Sequence, residues 1–350
     1  MLVRARNADV ACDGDRICAP EGRFDIVLDC RDSDVRPGLI NSHEHLHRNH
    51  YGRLGKPPYR NATHWARDIQ VRHRRRIERG RALPRRDAYL AGAWKNLFAG
   101  VTSAVHHDRW DDELDRDFPL RVIRVANDDS VSFTPALGAN RRNGSAYALH
   151  VAEGTDDEAA GEVEIIDRAG LLNRYLLAVH AVGPGAEGAE RLRASGAAII
   201  WCPTSNHFLF GRTAPETLFG AATDVLLGSD SLVTGAGNLL DEIRFARTVG
   251  RLDDERLEGA VGEVAARRLR VANPKLEPGA PADFILLAAP LLEATAGHVR
   301  LVVVDGVPRV AASEAARQLQ SVGVAGRRMT VGGVTRWTNA EPTSRNRGSR

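Results

Sequence analysis

Short apolar runs alternate with helically spaced apolar positions from Pro37 to about Asn273, the pattern left by successive βα units that build a parallel sheet. The apolar runs predict strands over Gly38–Asn41, Thr102–His107, Leu120–Ala126, Ala146–Val151, Tyr175–Val182, Ala197–Pro203 and Val225–Ser229. Helical spacing predicts Arg86–Phe98, running into Gly100, and Asp156–Leu172, which opens on acids. It also predicts Leu239–Val249, set between the capping candidate Asn238 and Gly250. A further helix over Asp253–Val271 puts Leu257, Val261, Val264 and Leu269 on one face, with Pro274 as its stop.

Outside that block the pattern changes to short β-like runs, at Asp25–Leu28, Asp283–Leu287, Arg300–Val304 and Val334–Trp337, joined by turn signals such as Asp305-Gly306. Neither set can bury a face alone, so residues 1–36 and 275–338 are expected to fold as one small β domain. Residues 37–274 then form the main α/β domain and 339–350 a flexible tail. The length of 350 residues suits one α/β barrel of ~200 to over 400 residues with a small second domain.

Composition narrows the class. With 43% hydrophobic and 27% charged residues the chain is ordinary globular protein, which excludes disorder and low-complexity arrays. The net charge of +3 is spread, so nucleic acid is not an expected partner, and the run Arg72, Arg74, Arg75, Arg76, Arg79, Arg81 reads first as a solvated helix face. Cysteines at 12, 18, 30 and 202 have no metal or redox spacing, as expected in a reducing, cytoplasmic setting. The start lacks an apolar leader core and no run approaches ~18 apolar residues, so neither export nor a membrane partner is expected.

The chemistry gathers at predicted strand ends. In Pro37-Gly38-Leu39-Ile40-Asn41-Ser42-His43-Glu44-His45, the two histidines are two apart, so a strand turns both imidazoles to one side. Alone, such a pair is more often a surface feature. But His150, His180 and Asp230 each close another apolar run, with His180 30 residues after His150, about the length of one βα unit. In a closed parallel barrel all these ends meet at one face, which makes a metal site the better reading.

Jointly, PGLINSHEH, GVTSAVHHD, HVAE, AVHAVG, WCPTSNHFLFG, GSDS, LLDEIRFAR and PGAPADFILL resemble the amidohydrolase superfamily, in its mononuclear-metal branch of nucleobase and nucleoside deaminases and triazine chlorohydrolases. The resemblance implies an α/β fold: a distorted (β/α)8 TIM-type barrel with a small β-sandwich formed by both chain ends. It implies that His43, His45, His150 and Asp230 ligate one divalent metal ion, and that His180 contacts the hydrolytic water or the substrate. Imidazoles with a carboxylate and an open position suit Zn²⁺, which lowers the pKa of bound water towards ~7; iron and manganese accept the same donors. A two-metal relative would need a bridging lysine at the fourth strand end, and none of Lys56, Lys95 and Lys275 stands there.

Glu153, three residues past His150, matches the HxxE element that the resemblance assigns to proton shuttling, beside Asp230. The competing reading is a helix-start acid next to Asp156 and Asp157. Substrate contacts are expected from Trp65, His107 and Asn206, with Asn206 in the loop after the seventh strand. His106 and His107 either line the pocket or make structural hydrogen bonds, and Cys202 is not expected to be a nucleophile, since an activated water already supplies one. The long segment His47–Pro84 is the expected lid. Only 42 residues separate His107 from His150, so a barrel helix is missing or stunted there; Ser130–Pro135 is read as a shortened fourth strand, and Arg141 and Arg142 as candidates for an anionic group.

The expected function is a metal-dependent hydrolase that releases ammonia from an aminated heterocycle. Hydrolysis of an amide, an imide or another leaving group is the alternative, followed by a non-catalytic binding protein on a decayed barrel. The expected partner is a small-molecule substrate, and barrels of this kind often pair into homo-oligomers.

Overall fold

A computed structural model describes residues 1–339 except 135, 140, 143, 273 and 274. The expected helix stop Pro274 and the tail from 340 onwards lie outside the described residues.

The chain opens with five strands: β1 (Leu2–Ala5), β2 (Asp9–Asp13), β3 (Arg16–Cys18), β4 (Val27–Cys30) and β5 (Asp34–Pro37). Eight parallel strands follow: β6 (Leu39–Glu44), β7 (Val101–His106), β8 (Arg121–Ile123), β9 (Ala126–Ser130), β10 (Tyr147–Val151), β11 (Leu176–His180), β12 (Ala198–Trp201) and β13 (Val225–Leu227). The chain ends with β14 (Phe284–Leu287), β15 (Val299–Val304), β16 (Val307–Ala311), β17 (Gly326–Val331) and β18 (Val334–Asn339). The helices are α1 (Ala62–Arg72), α2 (Arg74–Arg81), α3 (Arg85–Leu97), α4 (Asp157–Arg168), α5 (Gly185–Ala194), α6 (Pro203–Phe210), α7 (Leu239–Val249), α8 (Asp254–Ala260), α9 (Glu263–Leu269) and α10 (Ser313–Ser321).

The fold is α/β with two parallel sheets, β6-β7-β8 and β13-β12-β11-β10-β9. Every residue of β6, β7, β10, β11, β12 and β13 is buried, as in parallel strands covered on both faces. Only Arg124 and Val125 separate β8 from β9, whereas a parallel crossover takes a dozen or more residues. The two are therefore halves of one bent strand, the first paired to β7 and the second to β10. Beyond β13, Asp230 N donates to His43 O at 3.1 Å, linking that chain to β6.

Two expectations need correction here. The shortened fourth strand is not formed: Ser130 ends β9, and Phe133 N and Thr134 N turn back to donate to Ser130 O at 3.2 and 3.1 Å. Because β9 pairs directly with β10, the short connection has no separate strand to supply; Pro135 itself lies outside the described residues. The expected helix over 253–271 is broken into α8 and α9, and the break frees Val261 O to accept from Ile40 N of β6 at 2.8 Å.

The chain ends make a four-stranded sheet, β3-β2-β1-β4, and a six-stranded sheet, β17-β18-β16-β15-β14-β5. Val3, Val10 and Leu28 of the first share one apolar cluster with Phe284, Leu286, Leu301 and Val303 of the second and with Leu319 of α10. Among the described residues no helix is long and apolar enough to cross a membrane.

Candidate metal centre

Four imidazoles and one carboxylate meet at the C-terminal ends of β6, β10, β11 and β13. The ring of His43 lies 4.9 Å from that of His45, 5.0 Å from His150 and 5.5 Å from His180. Donor atoms of His43, His45 and His150 lie within 4.8 Å of one another, and so do those of His43, His180 and Asp230. Asp230 Oδ1 is 3.9 Å from His43 Nε2 and 3.7 Å from His45 Nε2. His180 and Asp230 sit at φ 68° and 50°, left-handed backbone that costs of order 1–3 kcal/mol in a non-glycine residue, so surrounding contacts hold both in place.

Backbone and side-chain partners orient the rings. His45 Nδ1 is 2.6 Å from Asp108 Oδ2, His150 Nδ1 meets Asp129 O, and His180 Nδ1 is 2.8 Å from Asn206 Oδ1. Each contact occupies the ring nitrogen opposite the one available to the centre, the arrangement typical around metal-binding histidines. His43 is fully buried and neither of its ring nitrogens has a protein partner. An unpaired buried nitrogen costs ~1–3 kcal/mol, so this donor set fits a bound divalent ion. Burial, followed by the neighbouring imidazoles, holds His43 and His150 well below the usual histidine range, which keeps both neutral as a metal requires.

The two acids diverge. Burial pushes Asp230 up, but the imidazoles of His45 and His180 and the hydroxyls of Thr234 and Ser205 outweigh it and bring its pKa down to about 2. Glu153 is raised well above the ordinary carboxylate range by burial and by the charges of Asp230 and Asp129. Its Oε1 lies 3.6 Å from His180 Nε2. The residue precedes α4, whose cap is Asp156, so the helix-start role falls to Asp156.

A cleft of about 200 Å³ opens onto His45, His150, Glu153, His180 and Asp230, and Trp65 lines it. Arg48, Asp129 and Phe133 also line it, and sequence reasoning had not singled them out. The other two expected substrate contacts, His107 and Asn206, stand behind the residues that line this cleft. His107 packs against His43 and His150, 4.9 and 4.2 Å between centroids, with Nε2 2.8 Å from Asp128 O. Asn206 belongs to helix α6 rather than a loop, is buried, and is turned onto His180. Cys202 is fully buried, and burial followed by the charge of Asp230 raises its thiol, which leaves no reactive thiolate. Arg141 donates to Gly170 O at 2.9 Å, away from the cleft.

Behind the centre lies a polar cluster that sequence reasoning missed. Lys95 Nζ of α3 is 2.6 Å from Glu44 Oε2 and donates to Ser229 Oγ at 3.1 Å and Asp230 O at 2.9 Å. Asn41 Nδ2 donates to Ser229 Oγ and Asn96 Oδ1, both at 2.8 Å, and Asn49 Nδ2 to Glu44 Oε1 at 3.0 Å. These bonds tie β6, α3 and the residues after β13 together behind His43 and Asp230.

No family model matches the chain. Over 161 residues it is 29% identical to a putative aminohydrolase of Methanothermobacter thermautotrophicus, covering 42% of this chain and 40% of that one. Over 87 residues it is 36% identical to the aminodeoxyfutalosine deaminase of Deinococcus radiodurans, covering 24% and 21%. The matched segments thus span less than half of these relatives. Among solved structures, an adenosine deaminase from Xanthomonas campestris with bound zinc superposes with a TM-score of 0.68 at 17% identity, over 92% of this chain and 95% of that one. A variant of the atrazine chlorohydrolase of Arthrobacter aurescens, with zinc and atraton, gives a TM-score of 0.63 at 18% identity, over 90% and 94%. At these identities the structural likeness speaks for the fold alone. The chain resembles the amidohydrolase superfamily, in sequence over part of its length and in fold over nearly all of it.

Proposed function

We propose that the protein is a metal-dependent aminohydrolase that adds water to a ring carbon of an aminated heterocycle and releases ammonia. The observation that carries this reading is the convergence of His43, His45, His150 and Asp230, with Glu153 and His180 on the cleft side. Those four would hold one divalent ion, zinc being favoured because solved neighbours carry it. Such an ion would supply an acidified water at neutral pH. Asp230, ionised at its low pKa, accepts a proton from the attacking water. Glu153, kept protonated by burial, hydrogen-bonds the heterocycle and donates its proton to the departing amine as the C–N bond breaks. His180, held by Asn206, orients the oxygen that forms on the carbon. Trp65, Arg48 and Phe133 give the substrate an apolar wall and a cation.

The two parallel sheets close into one barrel through the bent β8–β9 strand and the Asp230–His43 backbone bond, and the end sheets pack as a sandwich on their shared cluster. The barrel then has seven strand positions rather than eight. The domain limits are 1–36 with 275–338 and 37–274. Four free cysteines, three of them buried, favour a cytoplasmic setting. Measuring ammonia release by the zinc-loaded protein over a panel of aminated heterocycles tests the assignment. Turnover of imides or amides with no ammonia from any heterocycle would overturn it in favour of the alternative hydrolase.

A further inference from the structure

Successive side chains of a strand point to opposite faces, and β7 uses this at its end. His107 faces His43 in the centre already described, while His106 points the other way, towards α3, with its ring 5.4 Å from Tyr89 and 5.5 Å from His47. His106 is 1% exposed, yet neither of its ring nitrogens has a hydrogen-bond partner, and His47 Nδ1 has none either. Asp108 completes the group: donor atoms of His47, His106 and Asp108 lie within 4.8 Å of one another, with His47 Nδ1 3.7 Å from Asp108 Oδ2.

We propose that His47, His106 and Asp108 form a second divalent-cation site, adjoining the first centre through Asp108 and suited to zinc. Two imidazoles and a carboxylate are zinc ligands, and three protein ligands leave a position for water. Access is open, because the side chains of His47 and Asp108 are 35% and 22% exposed. The site binds more weakly than the centre described above for two reasons. Arg48 Nη2 lies 2.8 Å from Asp108 Oδ1, and a cation beside a second cation is repelled. Asp108 Oδ2 is also the partner of His45 Nδ1 at 2.6 Å, so the same carboxylate serves both sites.

The test is a zinc titration of the protein as purified with its resident ion, followed with a chromophoric chelator and by cobalt(II) absorption. Three proteins are compared: the unmodified chain, His106→Phe, which keeps a ring against Tyr89, and His47→Ala, at a partly exposed position. The expected result is one further equivalent in the unmodified chain, with affinity reduced roughly a hundredfold or more in each variant. Both variants keep His43, His45, His150 and Asp230, so any ion taken up at the first centre appears equally in all three chains and drops out of the difference between them. No further equivalent in the unmodified chain, or undiminished binding in the variants, overturns the proposal. If His106→Phe does not fold, His47→Ala decides the matter alone.

Discussion

Lys95 Nζ lies 2.6 Å from Glu44 Oε2, with both side chains out of solvent, directly behind the strand end that carries His43 and His45. A buried pair of this kind adds little net stability against an apolar pair, but removing one partner strands the other's charge, at about 3–5 kcal/mol. Lys95→Met is therefore expected to lower unfolding free energy by that amount in denaturant melts and to weaken metal retention, because Asp230 O loses its donor. Adding Glu44→Gln should restore part of the lost stability. A single variant as stable as the parent would mean that the ammonium is not needed there.

Asp108 receives the outward nitrogen of His45, and the carboxylate fixes which nitrogen faces the centre. Asp108→Asn should therefore lower affinity for the resident ion about 10- to 100-fold, measured by chelator competition, whereas His43→Ala or Asp230→Ala should abolish retention in elemental analysis. Full retention in His43→Ala would remove that residue from the ligand set.

Much of this site could be read in the chain because a parallel strand buried on both faces must be apolar, so a polar residue that closes one stands out. His150, His180 and Asp230 are legible for that reason. Helix α6 is not, since its buried face carries Ser205 and Asn206, which look like loop residues until Asp230 and His180 are seen to take their side chains. The predicted strand Leu120–Ala126 likewise stops short of the Asn-Asp-Asp-Ser stretch of β9, which has no apolar residue, although Asp128 is buried and accepts from Tyr147 Oη and from Gly138 N. Lys95, Glu44 and Asp108 gain their roles only through partners on other elements, and no local pattern marks them.

Glu162 gives a pH signature away from the centre. Burial raises its carboxyl to about 7, against the pull of hydrogen bonds from Ser132 Oγ and Ala152 N. A carboxyl raised on folding holds its proton more tightly in the native state. Its contribution to stability is thus full below the ordinary value of 4.5 and is lost as pH rises through about 7. The amount is on the order of 3 kcal/mol. Glu162→Gln, whose amide can still accept from Ala152 N and donate to Ser132 Oγ, should flatten this part of the stability curve. Parallel curves for the two proteins from pH 5 to 8 would assign the slope elsewhere.

Glu153 Oε1 stands 3.6 Å from His180 Nε2 on the cleft side of the centre. If this carboxyl carries the proton to the leaving amine, it acts only in the chemical step. Glu153→Gln should then lower turnover roughly a hundredfold or more while metal content and KM change little. The glutamine keeps the size and hydrogen-bonding reach of the acid but cannot give up a proton at useful pH. As a proton donor Glu153 works in its protonated form, and burial holds its carboxyl above the ordinary range, so parent turnover should fall as pH rises through that raised value. The variant should lack this limb of the profile, which a packing defect would not remove. Near-normal turnover in the variant, with the limb intact, would take Glu153 out of the reaction and leave Asp230 or His180 to move the proton.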